Sequence, residues 1–340
     1  MKQVSDFGRL LTDFLTNYLI GEKGVSNNTV KSYSITFILL LRYMRDVKRI
    51  DIRRLAIGNI NRNNIVDFLD WMQKERKCGI STRNQRLAAI AAFTKFLQYK
   101  YPASLLDCQE ILTIPSKKHE EKIISYLNVE GIKLLLEQPD KSTILGLRDL
   151  CLLSLMYESA ARVQEIIDLT PTSLRINSKP YCVVLHGKGN KNRVVPLSEN
   201  VVTILNEYMK RSSIGKREFA IKPLFPNKQL QKMTRNGINN ILVKYFKMVQ
   251  LKNPVIAHEG ISCHSIRHSK AMNLLEAGVE LIHIRDFLGH KSVITTELYA
   301  RVNPKFTFEA VKKAYADISE EIPIWEGNEE LIEKLKELSK

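Results

Sequence analysis

Hydrophobic periodicity, and the one place where it changes, constrains this 340-residue chain most. Through the first hundred residues apolar side chains recur at helical spacing. Phe7, Leu10, Leu11, Phe14, Tyr18 and Leu19 form one stripe, which Gly21 and Gly24 interrupt. A second helix is expected after Ser26, a good N-cap, through Val30, Tyr33, Phe37, Leu40, Leu41 and Met44. A third is predicted over Asn61–Glu75, with Ile65, Phe68, Leu69 and Met72 facing inward. Ser81 is expected to open a fourth, which carries Leu87, Ile90, Phe93, Phe96 and Leu97 and ends before Pro102. Residues 113–125, polar, charged and containing Pro115, read as a linker. Helices are then predicted near Val129–Glu137, over Ile144–Tyr157 and after Ala161. Only at Tyr181 does the period fall to two. Tyr181–His186 reads as a strand, Gly187–Asn192 as a turn and Arg193–Leu197 as the returning strand. Helical patterns resume from Val201 and from Asn236. The expected fold is mainly α with a small antiparallel β-sheet, in two domains, 1–112 and 126–318, followed by a tail helix within 319–340.

Charge narrows the partner. Lys and Arg total 52 against 36 Asp and Glu, a net +16, which points to a polyanion, with nucleic acid favoured over a membrane surface. The surplus is uneven: 18 against 10 over residues 1–110, 28 against 17 over 111–301, and 6 against 9 over 302–340. The longest apolar runs, Ile35–Leu41 and Cys151–Tyr157, fall short of the roughly 20 residues that cross a bilayer. Five widely spaced cysteines with no C-x-x-C pair argue against a disulfide framework, so a reduced, cytoplasmic protein is expected.

Four constellations could carry chemistry. In Cys263-His-Ser-Ile-Arg-His268, His264 and Arg267 lie three positions apart and would share a helical face. A cation that keeps its proton beside an imidazole that can lose one suits a phosphate undergoing substitution. The same residues could be ordinary surface cations, or Cys263, His264 and His268 could hold zinc with His283 or His290, though the spacing matches no familiar closed site. His290 and Tyr299, nine residues apart, would oppose each other on one unbroken helix. They converge only if the chain turns, which Gly289 and Ser292 allow. A tyrosine nucleophile needs cationic or basic neighbours, because its pKa is near 10; alone, Tyr299 would be a packed aromatic. The turn His186-Gly-Lys188-Gly-Asn-Lys191-Asn-Arg193 presents three cations on a bend that two glycines make tight. It is not a P-loop, and it could equally be a solvated turn. In Ala160-Ala-Arg-Val-Gln-Glu165, Arg162 and Glu165 lie off the apolar stripe of Val163, Ile166 and Ile167, where a surface ion pair is the alternative.

Each signal alone is weak, but Arg162, Lys188, His264, Arg267, His290 and Tyr299 follow one another in a characteristic order and spacing. With the phrases A-A-R-V-Q-E, H-G-K-G-N-K-N-R-V-V-P-L, H-S-I-R-H-S and L-G-H-K-S-V-I-T-T-E-L-Y-A, the chain resembles the tyrosine recombinase (phage integrase) family over nearly its whole length. The resemblance implies a two-domain C-shaped clamp: a helical SAM-like core-binding domain and an α+β catalytic domain. It implies Tyr299 as the nucleophile that forms a 3′-phosphotyrosine, Arg162 and Arg267 on the non-bridging oxygens, Lys188 as the acid for the departing 5′-oxygen, His264 as general acid/base and His290 as a hydrogen-bond donor to the phosphate. Glu165 and His268 would support this set, with no cofactor, ATP or metal.

Partners implied are double-stranded DNA with inverted-repeat half-sites and further copies of the chain, as a tetramer on synapsed DNA, with room for an accessory or partner recombinase. Expected DNA contacts are Asn27, Asn28, Lys31 and Ser32 on the second helix, Thr82, Arg83, Asn84 and Arg86 on the fourth, and Lys191 and Arg193 on the hairpin. No separate arm-binding domain is expected before residue 7, and the length beyond Tyr299 points to a mobile element. The narrow stripe Leu331, Ile332, Leu335 and Leu338 suggests a helix handed to a neighbouring subunit, or docked on its own. Rival readings are a type IB topoisomerase, in which Lys usually replaces His264, a non-catalytic DNA-binding regulator and a metal-dependent nuclease.

Overall fold

A computed structural model describes residues 6–118, 125–187, 192–254, 260–290 and 329–338, together with 292, 296 and 299. Lys188 and Lys191 lie outside the described residues, as does most of the segment after Tyr299. The chain divides into two units, Met1–Lys122 and Ile123–Lys340.

The first unit is helical. Helix α1 (Asp6–Asp13) runs into a wider-pitched segment, Phe14–Glu22, where Lys23 N–H donates five residues back to Tyr18 O. The stripe from Phe7 to Leu19 therefore continues through a change of helical pitch, ending before Gly24, whose φ is +56°. Helix α2 (Asn27–Asp46) starts where Ser26 accepts from Thr29 N–H, and α3 (Arg62–Lys74) where Asn61 accepts from Asn64 N–H. Helix α4 (Ile80–Lys100) opens at an extended Gly79 and not at Ser81, which sits inside the first turn. A further helix, α5 (Leu105–Leu112), was not foreseen; it is only two turns long and buries Cys108 and Ile111. Phe7, Phe14, Phe37, Phe93 and Phe96 form the centre, with Phe14–Phe93 centroids at 5.2 Å and Phe37–Phe93 at 5.1 Å, nearly edge to face. Residues 113–117 pack on this unit: Ile114 is buried, and Lys117 N–H donates to Asn84.

In the second unit, α7 (Ile144–Ser159) follows α6 (Val129–Leu136) and is buried on every side from Asp149 to Met156, as befits a helix apolar all round. Helix α8 (Val163–Asp168) leads to a three-stranded antiparallel sheet, β1 (Leu174–Arg175), β2 (Cys182–His186) and β3 (Asn192–Pro196), in that spatial order. The predicted hairpin is β2–β3; β1, two residues long, carries no period a sequence could display. Helices α9 (Glu199–Arg211), α10 (Arg235–Lys252), α11 (Cys263–Glu276) and α12 (Leu281–Leu288) complete the described part of the unit, apart from a separate helix at Glu329–Leu338 whose side chains from Glu333 onward are exposed. All five cysteines are free. Among the described residues no helix is long and apolar enough to cross a membrane.

Candidate active site

Three chain turns in the second unit meet, each with a local cause. Helix α7 ends at Ala160, which takes a left-handed conformation (φ +45°, ψ 36°), and Arg162 follows in extended geometry as the N-cap of α8. Glu165, three residues on, reaches back to accept the Arg162 backbone N–H at 2.9 Å, half of a capping box. Helix α12 ends at Gly289, with φ +64°, where the His290 N–H donates to Arg285 O and the Gly289 N–H to Asp286 O, a glycine cap that reverses the chain and sends His290 away. Ser262 caps α11, so that its first turn holds His264 and its second Arg267 and His268.

These turns bring together every described catalytic candidate. Arg162 donates to Glu165 Oε1 at 2.9 Å and to Gly289 O at 3.4 Å. Arg267, 3% exposed, spans two turns by donating to Ala160 O at 2.6 Å and Leu288 O at 2.5 Å. The Tyr299 hydroxyl lies 2.8 Å from His268 Nδ1, and the His268 ring packs 5.6 Å from that of His264. His290 Nδ1 lies 3.1 Å from Thr296 Oγ1, a partner the sequence did not suggest. His264 is exposed at the helix start, whereas Tyr299 is 2% exposed.

Electrostatics follow from burial and crowding of like charge. Burial, then the charges of His264 and Arg267, pull His268 down to about 4; burial and the surrounding arginines do the same to His290. His264 is lowered less, for similar reasons. Arg267 falls to about 9 because it is desolvated beside Arg162 and Arg193. Burial raises the Tyr299 phenol, and Arg267 and Arg162 oppose that rise. Glu165 is the single carboxylate among these groups. Burial would raise it, but the contacts with Arg193 and Arg162 outweigh burial and hold it below the usual carboxylate range. Three guanidinium groups against one carboxylate make a pocket suited to an anion.

Three arginines expected to contact DNA have their guanidinium groups engaged within the protein. Arg193 points inward: its side chain is 13% exposed and donates to Glu165 and to backbone carbonyls. Strand alternation carries the signal, since Arg193 shares a face with buried Val195 while Val194 between them is 56% exposed. Arg83 is 4% exposed and donates to Asn84 Oδ1 and Pro115 O. Arg86, half-buried, ties α4 to α2 through Ser32 O and Thr36 Oγ1. Asn27, Asn28 and Lys31 are exposed, with Ser32, Thr82 and Asn84 half-buried. The zinc arrangement is not assembled: among the described residues no group of three or more His, Cys, Asp or Glu could hold a metal ion.

A helical unit followed by an α+β unit whose turns gather Arg162, Arg267, three histidines and a buried tyrosine defines a class of DNA strand-transfer enzymes, the tyrosine recombinases. The chain belongs to the phage integrase family: that family's profile matches residues 125–305, and the phage integrase N-terminal SAM-like domain matches 12–100. It is 30% identical to the tyrosine recombinase XerD of Listeria innocua, over 86% of this chain and 94% of that one. It is also 30% identical to the tyrosine recombinase XerC of Pelotomaculum thermopropionicum, over 88% and 94%. The fold resembles the XerH site-specific recombinase bound to palindromic difH substrate, with TM-score 0.64 and 18% identity over 83% of this chain and 79% of that one. A Tn1549 transposon integrase bound to transposon right end DNA has TM-score 0.63 and 16% identity, over 89% and 98%.

Proposed function

We propose that this chain cuts and rejoins specific DNA sites through Tyr299. The phenolic oxygen attacks the scissile phosphorus, the bond to the 5′-oxygen breaks, and a 3′-phosphotyrosine and a free 5′-hydroxyl result. The observation that carries the reading is the Tyr299 hydroxyl, bonded to His268 and lying within the field of Arg267 and Arg162. A phenol with a pKa near 10 is a weak nucleophile at neutral pH without a base and nearby cations. His268 Nδ1 lies 2.8 Å from the hydroxyl, and in the neutral tautomer protonated at Nε2 it can accept the phenolic proton. This gives His268 the part that the resemblance suggested for His264, whose exposed ring is better placed to exchange protons with solvent.

Arg162 and Arg267 neutralise the non-bridging oxygens, most strongly when a second negative charge develops in the pentacovalent transition state. Glu165 orients Arg162, His290 donates a hydrogen bond to the phosphate, and Lys188 protonates the departing 5′-oxygen. The phosphotyrosine retains the energy of the broken ester. A 5′-hydroxyl from another strand can therefore attack it, restore the phenol and lead through a Holliday junction without ATP. The substrate is duplex DNA with inverted-repeat half-sites, bridged by four copies of the chain, in the cytoplasm. Asn27, Asn28 and Lys31 reach the groove, and a mobile-element integrase is the setting that fits the chain best.

The test is incubation with nicked suicide duplexes in EDTA. A covalent protein–DNA adduct that Tyr299→Phe abolishes, while duplex binding persists, is expected. Binding without any adduct favours a silent regulator, and cleavage that only a metal restores favours a nuclease.

A further inference from the structure

We propose that Arg193 is a positioning residue, which holds Arg162 and the His290 turn in register from inside the protein and makes no contact with DNA. The inference rests on the reading of Tyr299 as nucleophile and Arg162 as phosphate ligand. Three observations carry it. Arg193 donates through one terminal nitrogen to Phe287 O at 2.6 Å and Ser159 O at 3.1 Å, and through the other to Glu165 Oε2 at 2.8 Å and Ala160 O at 3.3 Å. It therefore grips the end of α7, the start of α8 and the end of α12 at once. Second, the carboxylate it holds is shared: Glu165 Oε1 accepts from the Arg162 guanidinium and Oε2 from the Arg162 backbone. Arg193 fixes the carboxylate from behind, and the carboxylate fixes Arg162 in front. Third, the Arg193 stem fills the space beside Gly289, where an added Cβ would come within 3.2 Å of its Cδ. The bend that releases His290 is thus built around this side chain.

Arg193 also sits on β3, paired with β2 through the partner Leu185. A lysine there would keep the charge, but a single ammonium cannot span the four acceptors that the planar fork reaches. Misplacement of a phosphate ligand by about 1 Å can cost on the order of 100-fold in rate.

The experiment uses the full chain and a nicked duplex recovered from a randomised pool as the covalent adduct of the unmodified protein. Failure to recover any adduct overturns the reading of Tyr299 itself. Given the adduct, single-turnover cleavage, duplex affinity and its salt dependence are measured for Arg193→Lys, with Arg193→Gln as substitute if the first variant does not fold. Cleavage is expected to slow about tenfold or more, with affinity unchanged within about twofold and the salt slope unaltered. In an Arg162→Ala background the same change should cost less than in the unmodified chain, because part of its effect runs through Arg162. A salt slope reduced by about one with weakened binding would make Arg193 a phosphate contact and overturn the inference. Unchanged cleavage, or a full loss on top of Arg162→Ala, would also overturn it, the latter by showing a merely structural part.

Discussion

Replacing Glu165 with Gln removes the one negative charge among Arg162, Arg193 and Arg267 while keeping shape. The side chain is 4% exposed and accepts bonds of 2.8 Å from Arg193 and 2.9 Å from both the guanidinium and the backbone of Arg162. Its counterparts differ: Arg193 is 13% exposed, whereas Arg162 is 34% exposed and well screened. A glutamine amide can accept from one guanidinium but turns its NH₂ towards the other, a donor against a donor. Breaking a buried pair from one side costs about 3–5 kcal/mol. The retained neutral hydrogen bond and the screening of Arg162 bring the expected loss to about 3 kcal/mol. For a unit of this size that lowers the melting temperature by roughly 6–12 °C. Calorimetry should show the fall in the transition of the second unit and not of the first. The folded-state pKa of Glu165 lies below its unfolded value, about 4.3. Its contribution is therefore complete above that value and lost as pH falls through the folded value. The gap between Glu165→Gln and the unmodified chain should be full at pH 7 and close progressively below about pH 4. A gap under about 1 °C at pH 7, or one that stays constant down to pH 3, would refute the reasoning.

The histidines predict the opposite side of the acid range. His264, His268 and His290 are all held below their unfolded value of about 6.5, so the unfolded chain takes up protons first and stability falls as pH drops from about 6.5 towards 4. Unfolding at pH 5.5, measured calorimetrically in buffers of different ionisation enthalpy, should consume protons, and His268→Phe should reduce that uptake. In the first unit, Lys31→Ala should lower the slope of log affinity against log salt by about one, whereas Arg83→Met should leave it unchanged. Equal changes in both variants would contradict the burial of Arg83.

The helices were legible wherever a stripe and a cap coincided: Ser26 and Asn61 accept the N–H bonds their positions implied. They were misread where the cap was only a backbone conformation, as at Gly79, or where two turns were too short to show a period, as in α5. The candidate site residues were legible as an ordered set because each stands in a distinct local phrase. Their grouping was not, since the bonds that hold them run between positions far apart in the chain, as from Arg267 to Ala160 and Leu288.

The amino-acid sequence by itself determined the mainly α architecture, the β2–β3 hairpin, the basic surplus and the order of the candidate site residues, because period, capping and charge are local properties. Which nitrogen meets the Tyr299 hydroxyl was decided only by tertiary structure, and the answer is His268 and not His264. So was the fate of three arginines, one of them buried and two half-buried, that read as surface cations. A guanidinium looks the same in any sequence; whether it faces DNA or a carbonyl depends on the strand or helix face it occupies, and on which distant backbone groups the fold leaves without another donor.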